Sequence, residues 1–328
     1  MLSLDISIVI PNYNGANYIL DSIASIYDQI ENKKEIIVID NDSQDGSVVL
    51  IKEKYPDISL IINDRNLGFA SAVNQGIKYS CSEYIILLNN DAFAQQNFVR
   101  HLFNCIDADR GIFSVASQML SYSNPSIIDN AGDQLSLMGW AFKTGDGDSS
   151  DLYEKDRIIF SSCAGGAIYR REILDRISYF DDMFFAYLED VDLGFRANIF
   201  GYKNVYCPKA KVLHIGSATS GNNRHNSFKV RLSARNNVYL VLKNIPIVML
   251  ILNAPFLIAG FLIKALYFRR LGFGAIYIEG LIEAFKTIKS IKRIKYKMEN
   301  TMNYIRIEYM MTKSTIYFLK EALLRFLK

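Results

Sequence analysis

Residues 5–46 read DISIVIPNYNGANYILDSIASIYDQIENKKEIIVIDNDSQDG, and this stretch decides the fold. Ser7 to Ile10 and Glu35 to Ile39 are short runs rich in β-branched residues, as expected of strands buried on both faces. Between them, Tyr18 to Ile30 carries apolar residues at helical spacing. The pattern continues outward, with helices predicted over Gly46 to Tyr55 and Ala70 to Tyr79 and strands over Ile58 to Ile62 and Tyr84 to Leu88. Repeated βαβ units give an α/β fold whose parallel sheet carries helices on both faces, and such sheets bind ligands beyond the carboxyl ends of their strands. Those ends are polar here: Pro11-Asn12-Tyr13-Asn14-Gly15, Asp40-Asn41-Asp42-Ser43, Asn63-Asp64-Arg65-Asn66 and Asn89-Asn90-Asp91.

The chain has 328 residues, 50% of them hydrophobic and 22% charged, so it buries a substantial core and is neither disordered nor of low complexity. Cys81, Cys105, Cys163 and Cys207 form no C-x-x-C pair, which predicts reduced thiols rather than a disulfide framework or zinc knuckle. Asp5, Pro11, Asn12 and Asn14 interrupt any apolar leader, so residues 1–20 do not read as a signal peptide, and the N-terminal part is expected inside the cell. Net charge is +3 but unevenly placed: from Ile263 to Lys328 there are 14 Lys and Arg against 5 Glu, a balance of +9. The basic character belongs to the tail, which points to a membrane-surface or nucleic-acid contact made there.

Beyond residue 94 the pattern is more mixed. A helix is predicted near Asn97 to Asp107, a strand over Ile112 to Ala116, a polar glycine-rich stretch from Gly132 to Asp151, helices near Arg171 to Ile177 and Glu189 to Phe200, and separate strands near Val205 and Val212. Neither G-x-G-x-x-G nor G-x-x-x-x-G-K-[ST] occurs, so phosphate needs another holder. A divalent ion on Asp91 would serve, since Mg²⁺ is commonly held by one or two carboxylates together with substrate phosphates. The alternative is that Asn89-Asn90-Asp91 is only a turn.

The segments 7–15, 38–47, 66–77 and 87–92, taken in order, resemble the motifs of the family 2 inverting glycosyltransferases, which have a GT-A fold. Gly165-Gly166-Ala167, Phe180-Asp181-Asp182 and Tyr187-Leu188-Glu189-Asp190-Val191-Asp192 resemble the subgroup that includes rhamnosyltransferases. The resemblance covers about residues 5–240. It implies a GT-A domain over 1–240, with a nucleotide-sugar-binding half over 1–94 and an acceptor-binding half over 95–240, followed by a helical extension over 241–328. It also implies an enzyme that moves a sugar, first of all rhamnose from dTDP-rhamnose, with inversion onto a cell-surface or lipid-linked glycan.

In residue terms, the resemblance implies that Asp40 accepts from a pyrimidine imide while Pro11 and Tyr13 line the base and ribose pocket. The alternative for Asp40 is a turn cap. Asn66 and Gly68 would let backbone approach the diphosphate, with the helix from Phe69 aiming its N–H groups at it. Asn89 and Asn90 would complete the donor site, although the family's usual D-x-D has lost one carboxylate here. His214 would join Asp91 on a Mg²⁺ or Mn²⁺ ion, and imidazole suits Mn²⁺ better. Asp190, kept ionised by the start of its helix, would be the general base, with Glu189, Gly165 and Gly166 on the acceptor side. Asp192 reads as a partner of Arg196 four residues on. His101 and His225 follow no motif, although His225 beside Arg224 could meet an anionic acceptor.

Asn244 to Ile263 is uncharged but contains Pro246, Asn253 and Pro255. With basic residues beyond it and a catalytic part that must meet cytosolic donor, it predicts an interfacial or re-entrant helix rather than a span. An apolar stripe through Ile278, Leu281, Ile282, Phe285, Ile288, Ile291 and Ile294 predicts a second amphipathic helix on anionic lipid. The alternatives are packing on the catalytic domain and a homodimer contact. The expected place is the cytoplasmic face of the cell membrane. A sugar-nucleotide nucleotidyltransferase lacks its glycine-rich phosphate loop here, and a nucleic-acid-binding tail leaves Glu189-Asp190 and Asp91 unexplained, so no nucleic-acid partner is expected.

Overall fold

The β-branched runs become strands, in the expected order. In the computed structural model, which describes residues 5–216 and 225–327, the chain begins β1 (Ile6–Asn12), α1 (Ile19–Tyr27), β2 (Ile36–Asp40), α2 (Ser47–Lys54), β3 (Ser59–Ile62), α3 (Phe69–Tyr79), β4 (Tyr84–Leu88). β1 pairs in parallel with β2 and β4, and β2 with β3. Because alternate strand residues point to opposite faces, Ile8, Ile10, Val38 and Ile86 pack with Ile19 and Ile23 of α1, while Val9, Ile37 and Leu87 pack with Val73 and Ile77 of α3.

β5 (Ala92–Ala94), α4 (Phe98–Asp107), β6 (Ile112–Ser121), β7 (Ile128–Asn130), β8 (Asp133–Leu135), β9 (Ala141–Lys143), β10 (Arg157–Ile159), β11 (Gly166–Arg170), α5 (Arg171–Ile177), α6 (Glu189–Ile199) and β12 (Lys203–His214) follow. The main sheet runs β10-β12-β6-β11-β4-β1-β2-β3, with β11 antiparallel between β4 and β6. The strands expected near Val205 and Val212 are one strand. Its pairing with β6 shifts register between Cys207 and Lys211, where Pro208 cannot donate to the ladder. The glycine-rich stretch carries the β8–β9 hairpin.

The tail consists of α7 (Ser227–Asn244), α8 (Ile247–Arg270), α9 (Gly274–Lys286) and α10 (Thr301–Leu327). Residue 240 is not a boundary in the packing, because Ile245, Met249, Leu257, Ala284, Tyr304, Ile307 and Met311 share one buried cluster with Leu135, Phe160, Phe184 and Phe195. The second amphipathic helix is corrected too. α9 stops at Lys286, a short 3-10 turn spans Ile288–Ser290, and the Ile294 N–H donates to the Lys243 carbonyl at 2.8 Å. Ile291 and Ile294 thereby turn toward the shared core. Ile278, Ile282 and Phe285 of the stripe stay exposed on α9, and apolar exposure is larger along α8, where Ile251 and Leu252 are 69% and 67% exposed. Pro246 caps α8 and Pro255 is carried inside it. Among the described residues, α8 is the one helix long and apolar enough to cross a bilayer.

Candidate active site

The parallel register sets Asn12 beside Asp40 and brings the ends of β1, β2 and β4 to one edge of the sheet. There a chain of side chains braces the floor: Asn90 Nδ2 donates to Asn12 Oδ1 at 2.8 Å, and Asn12 Nδ2 donates to Asp40 Oδ2 at 2.7 Å. Asp40 also accepts from the Ser43 N–H at 2.9 Å and the Ser43 hydroxyl at 2.6 Å. It is fully buried. Asp40 caps its turn and does not border the cleft, and three of its acceptor sites are filled inside the protein. Its neighbour Asn41 borders the cleft instead, donating to the Gly68 carbonyl at 3.2 Å. Asp40→Ala strands the donors of Asn12 and Ser43, so it is expected to cost about 1.5–3 kcal/mol of stability. A thermal melt at wild-type temperature would overturn that.

Asp91, after β4, meets His214 at the end of β12, with Asp91 Oδ1 3.3 Å from Nε2. The other ring nitrogen is 2.9 Å from Asp129 Oδ2, and Asp129 Oδ1 is 2.7 Å from Lys143 Nζ. Asp129 and Lys143 were not singled out from the sequence. Burial opposes charge on His214, but the hydrogen bonds and charges of Asp129 and Asp91 outweigh it and raise the imidazole to about 9. Burial likewise opposes charge on Asp129, yet His214 and Lys143 hold it well below the usual carboxylate range. Two ligands of one octahedral ion lie roughly 3 Å apart at metal distances near 2.1 Å, so Asp91 Oδ1 and His214 Nε2 fit a divalent ion between them. Asn89 Nδ2 sits 3.5 Å from the same nitrogen.

Glu189 and Asp190 open α6, behind Leu188 in the left-handed region. Asp190 accepts from the N–H of Val191 at 2.8 Å and of Ala164 at 3.3 Å. Those bonds favour the charged form as expected of a helix start, but burial outweighs them and the net shift is upward. Burial and the charge of Asp190 push Glu189 far higher, and one of its carboxylate oxygens has no hydrogen-bond partner. Asp133 of β8, also missed from the sequence, is raised to about 8 by burial and by Asp190. One ligating atom each of Asp133, Cys163 and Asp190 lies within 4.8 Å of the others. Burial raises the Cys163 thiol well above its ordinary value, which makes this trio a poorer metal holder than Asp91 with His214. Asp192 is spent structurally: it pairs with Arg196 at 3.0 Å and Lys243 at 2.9 Å.

One cleft of about 1440 Å³ brings these groups together. Pro11, Tyr13, Asn66, Gly68, Asn89, Asn90, Asp91, Gly165, Glu189, Asp190 and His214 all border it. Gly166 does not; it lies buried in β11, where an added Cβ would stand 2.8 Å from Ser117 Oγ. At Gly68, with φ +85°, a Cβ would come within 2.6 Å of Phe185. At the start of α3, which was expected to aim its N–H groups at the donor diphosphate, the Ala70 N–H is taken, donating to the Phe185 carbonyl at 3.2 Å. Ser217 and Arg224 lie outside the described residues. His225 borders the cleft, while His101 lies in α4.

The family model for glycosyl transferase family 2 matches residues 7–178. The chain belongs to glycosyl transferase family 2. Among its relatives, the N-acetylglucosaminyl-diphospho-decaprenol L-rhamnosyltransferase of Mycobacterium tuberculosis is 24% identical over 250 residues, 65% of this chain and 77% of that protein. GalNAc-T7, solved with UDP, GalNAc and Mn²⁺, is similar with a TM-score of 0.58 and 16% identity, covering 73% of this chain and 48% of that one. The mannosyltransferase PcManGT from Pyrobaculum calidifontis, solved with GDP-Man and Mn²⁺, gives 0.53 and 15%, covering 86% and 87%. This glycosyltransferase therefore has the GT-A fold that its motifs imply.

Proposed function

We propose that this glycosyltransferase moves a sugar, rhamnose from dTDP-rhamnose in the first instance, onto a hydroxyl of a lipid-linked glycan with inversion. The carrying observation is one cleft bordered both by the carboxyl of Asp190 and by the Asp91–His214 pair. The relative's named substrate, an N-acetylglucosaminyl-diphospho-decaprenol, supports the lipid-linked acceptor. Pro11, Tyr13 and Asn41 line the base and ribose end, with Asn66 and Gly68 beside the donor phosphates and Asn89 and Asn90 beneath them. Asp190 takes the proton of the attacking hydroxyl, for which a carboxyl pKa raised above the ordinary carboxylate range is suited. Glu189 and Gly165 border the acceptor. Asp91 and His214 would hold a divalent ion, which when bound neutralises charge on the departing diphosphate. GalNAc-T7, solved with UDP, GalNAc and Mn²⁺, and PcManGT, solved with GDP-Man and Mn²⁺, support that assignment. The exposed apolar face of α8 and the tail's net +9 support a peripheral place on the cytoplasmic face of an anionic membrane.

The test is protection of the purified protein from heat by nucleotide sugars, with and without Mn²⁺. dTDP-rhamnose is expected to raise the melting temperature more than other donors, and no response to any nucleotide sugar would end this reading. Asp91→Ala is expected to abolish the extra protection that Mn²⁺ gives, and His214→Ala to reduce it. Undiminished Mn²⁺ enhancement in Asp91→Ala would remove that residue from the metal site.

A further inference from the structure

The cleft does not end at the catalytic carboxyls. It continues to the tail, where Lys264 and Phe268 of α8, Tyr277 of α9 and Tyr317 of α10 border it, so the helical extension forms one of its walls. Lys264 is the first charge after 20 uncharged residues, 244–263. It sits half-buried on the inward stripe of α8 with the buried Leu257, Gly260 and Phe268, at positions spaced three and four apart. That stripe approaches the domain closely: a Cβ on Gly260 would lie 2.5 Å from the Met138 carbonyl.

Among the described residues, several other inward-facing cations have carboxylates. Lys243 has Asp181 and Asp192, Arg196 has Asp192, and Arg235 has Glu283. Lys264 has instead a long contact of 3.4 Å to Asn237 Oδ1 and the Trp140 ring, 5.6 Å from its nitrogen. Among the described residues no carboxylate pairs with it, and Glu321, which borders the same end of the cleft from α10, forms no ion pair with it. Burial alone acts on its ammonium, lowering it to about 8. A half-buried cation without a counter-charge still carries part of the desolvation cost, and an anion entering the cleft would offset it. On the opposite side of the same turns, Leu262, Ile263, Leu266 and Tyr267 are exposed and apolar. Lys264 thus stands at the seam between the polar cleft and an apolar outer surface.

We propose that Lys264 binds the phosphate end of an isoprenyl-diphosphate-linked acceptor, whose hydrocarbon chain leaves the cleft over the apolar face of α8. This rests on the proposed lipid-linked acceptor and specifies where its diphosphate is held. An amphiphile of that shape matches both sides of the seam: its phosphates offer the missing negative charge, and its chain covers apolar side chains that water otherwise meets.

The full-length protein in EDTA, which removes any ion at Asp91, is titrated with farnesyl diphosphate, inorganic diphosphate and farnesol. Farnesyl diphosphate is expected to bind about tenfold or more tighter than either fragment, to lose about tenfold or more in Lys264→Met, and to keep most of its affinity in Lys264→Arg. In the unsubstituted protein it is also expected to shield Lys264 from acylation by an amine-reactive ester, read by mass spectrometry, which needs no variant to fold. Equal binding by Lys264→Met, full acylation of Lys264 under saturating farnesyl diphosphate, or inorganic diphosphate binding as tightly as the farnesyl form would each overturn the proposal. Heat protection by nucleotide sugars reports the donor end, so its failure would be seen separately.

Discussion

Asp190→Asn is expected to lower turnover on the order of 10²-fold or more while nucleotide affinity stays near wild type. The Val191 and Ala164 N–H groups donate to different oxygens of Asp190, so asparagine keeps its oxygen for the shorter bond, from Val191, and gives up the longer one, from Ala164. What is lost is the ability to take a proton. Burial, the largest cause of the upward shift on both neighbouring carboxyls, Glu189 and Asp133, persists in the variant and makes them poorer bases than an ionised carboxylate. The same carboxyl sets a sign for pH. The base works ionised, so turnover falls as pH drops through the pKa of Asp190, and burial places that limb above the ordinary carboxylate range. Near-normal turnover in Asp190→Asn together with a dead Glu189→Gln would reassign the base.

The strand ends that carry this chemistry were legible because four apolar β-branched runs each stop at a polar cluster, and βαβ topology places such ends side by side. Which residue of a cluster faces the ligand was not legible. β2 is buried throughout its five residues, so no alternation marks a face, and Asp40 and Asn41 could not be told apart. Asp129, Asp133 and Lys143 lie in a stretch with neither helical nor strand period, and only pairing across β6–β7 and β8–β9 brings them to His214 and Asp190. The loop over the start of α3 was hidden for another reason. Phe185, Tyr187 and Leu188 adopt positive φ, a conformation these residue types rarely take and that no local signal announces. In the tail, the run from Ile278 to Ile294 keeps helical spacing in sequence, but packing of Ile291 and Ile294 against the shared core breaks it.

Ending the chain after Lys243 is expected to abolish cooperative folding. The truncation removes Ile245, Met249, Leu257, Tyr304, Ile307 and Met311 from the core they share with Leu135, Phe160 and Phe195. At about 1.5–3 kcal/mol per buried large apolar side chain, the loss matches or exceeds a typical net stability of about 5–15 kcal/mol. It also strands polar groups: Asp192 loses Asn244, at 2.8 Å, and the Leu137 N–H loses Thr315 Oγ1, at 2.9 Å. A soluble truncated chain with a cooperative melt and retained nucleotide-sugar protection would show the tail to be an appendage after all. Because truncation confounds folding with membrane contact, the outer face of α8 is the place to separate them. Ile251, Leu252 and Leu262 are exposed, so changing all three to glutamate leaves the inward stripe intact. That variant is expected to melt like the wild type yet stop sedimenting with anionic vesicles at low salt, since the apolar face and the basic residues must act on the membrane together. Unchanged sedimentation would mean that α8 does not meet the membrane.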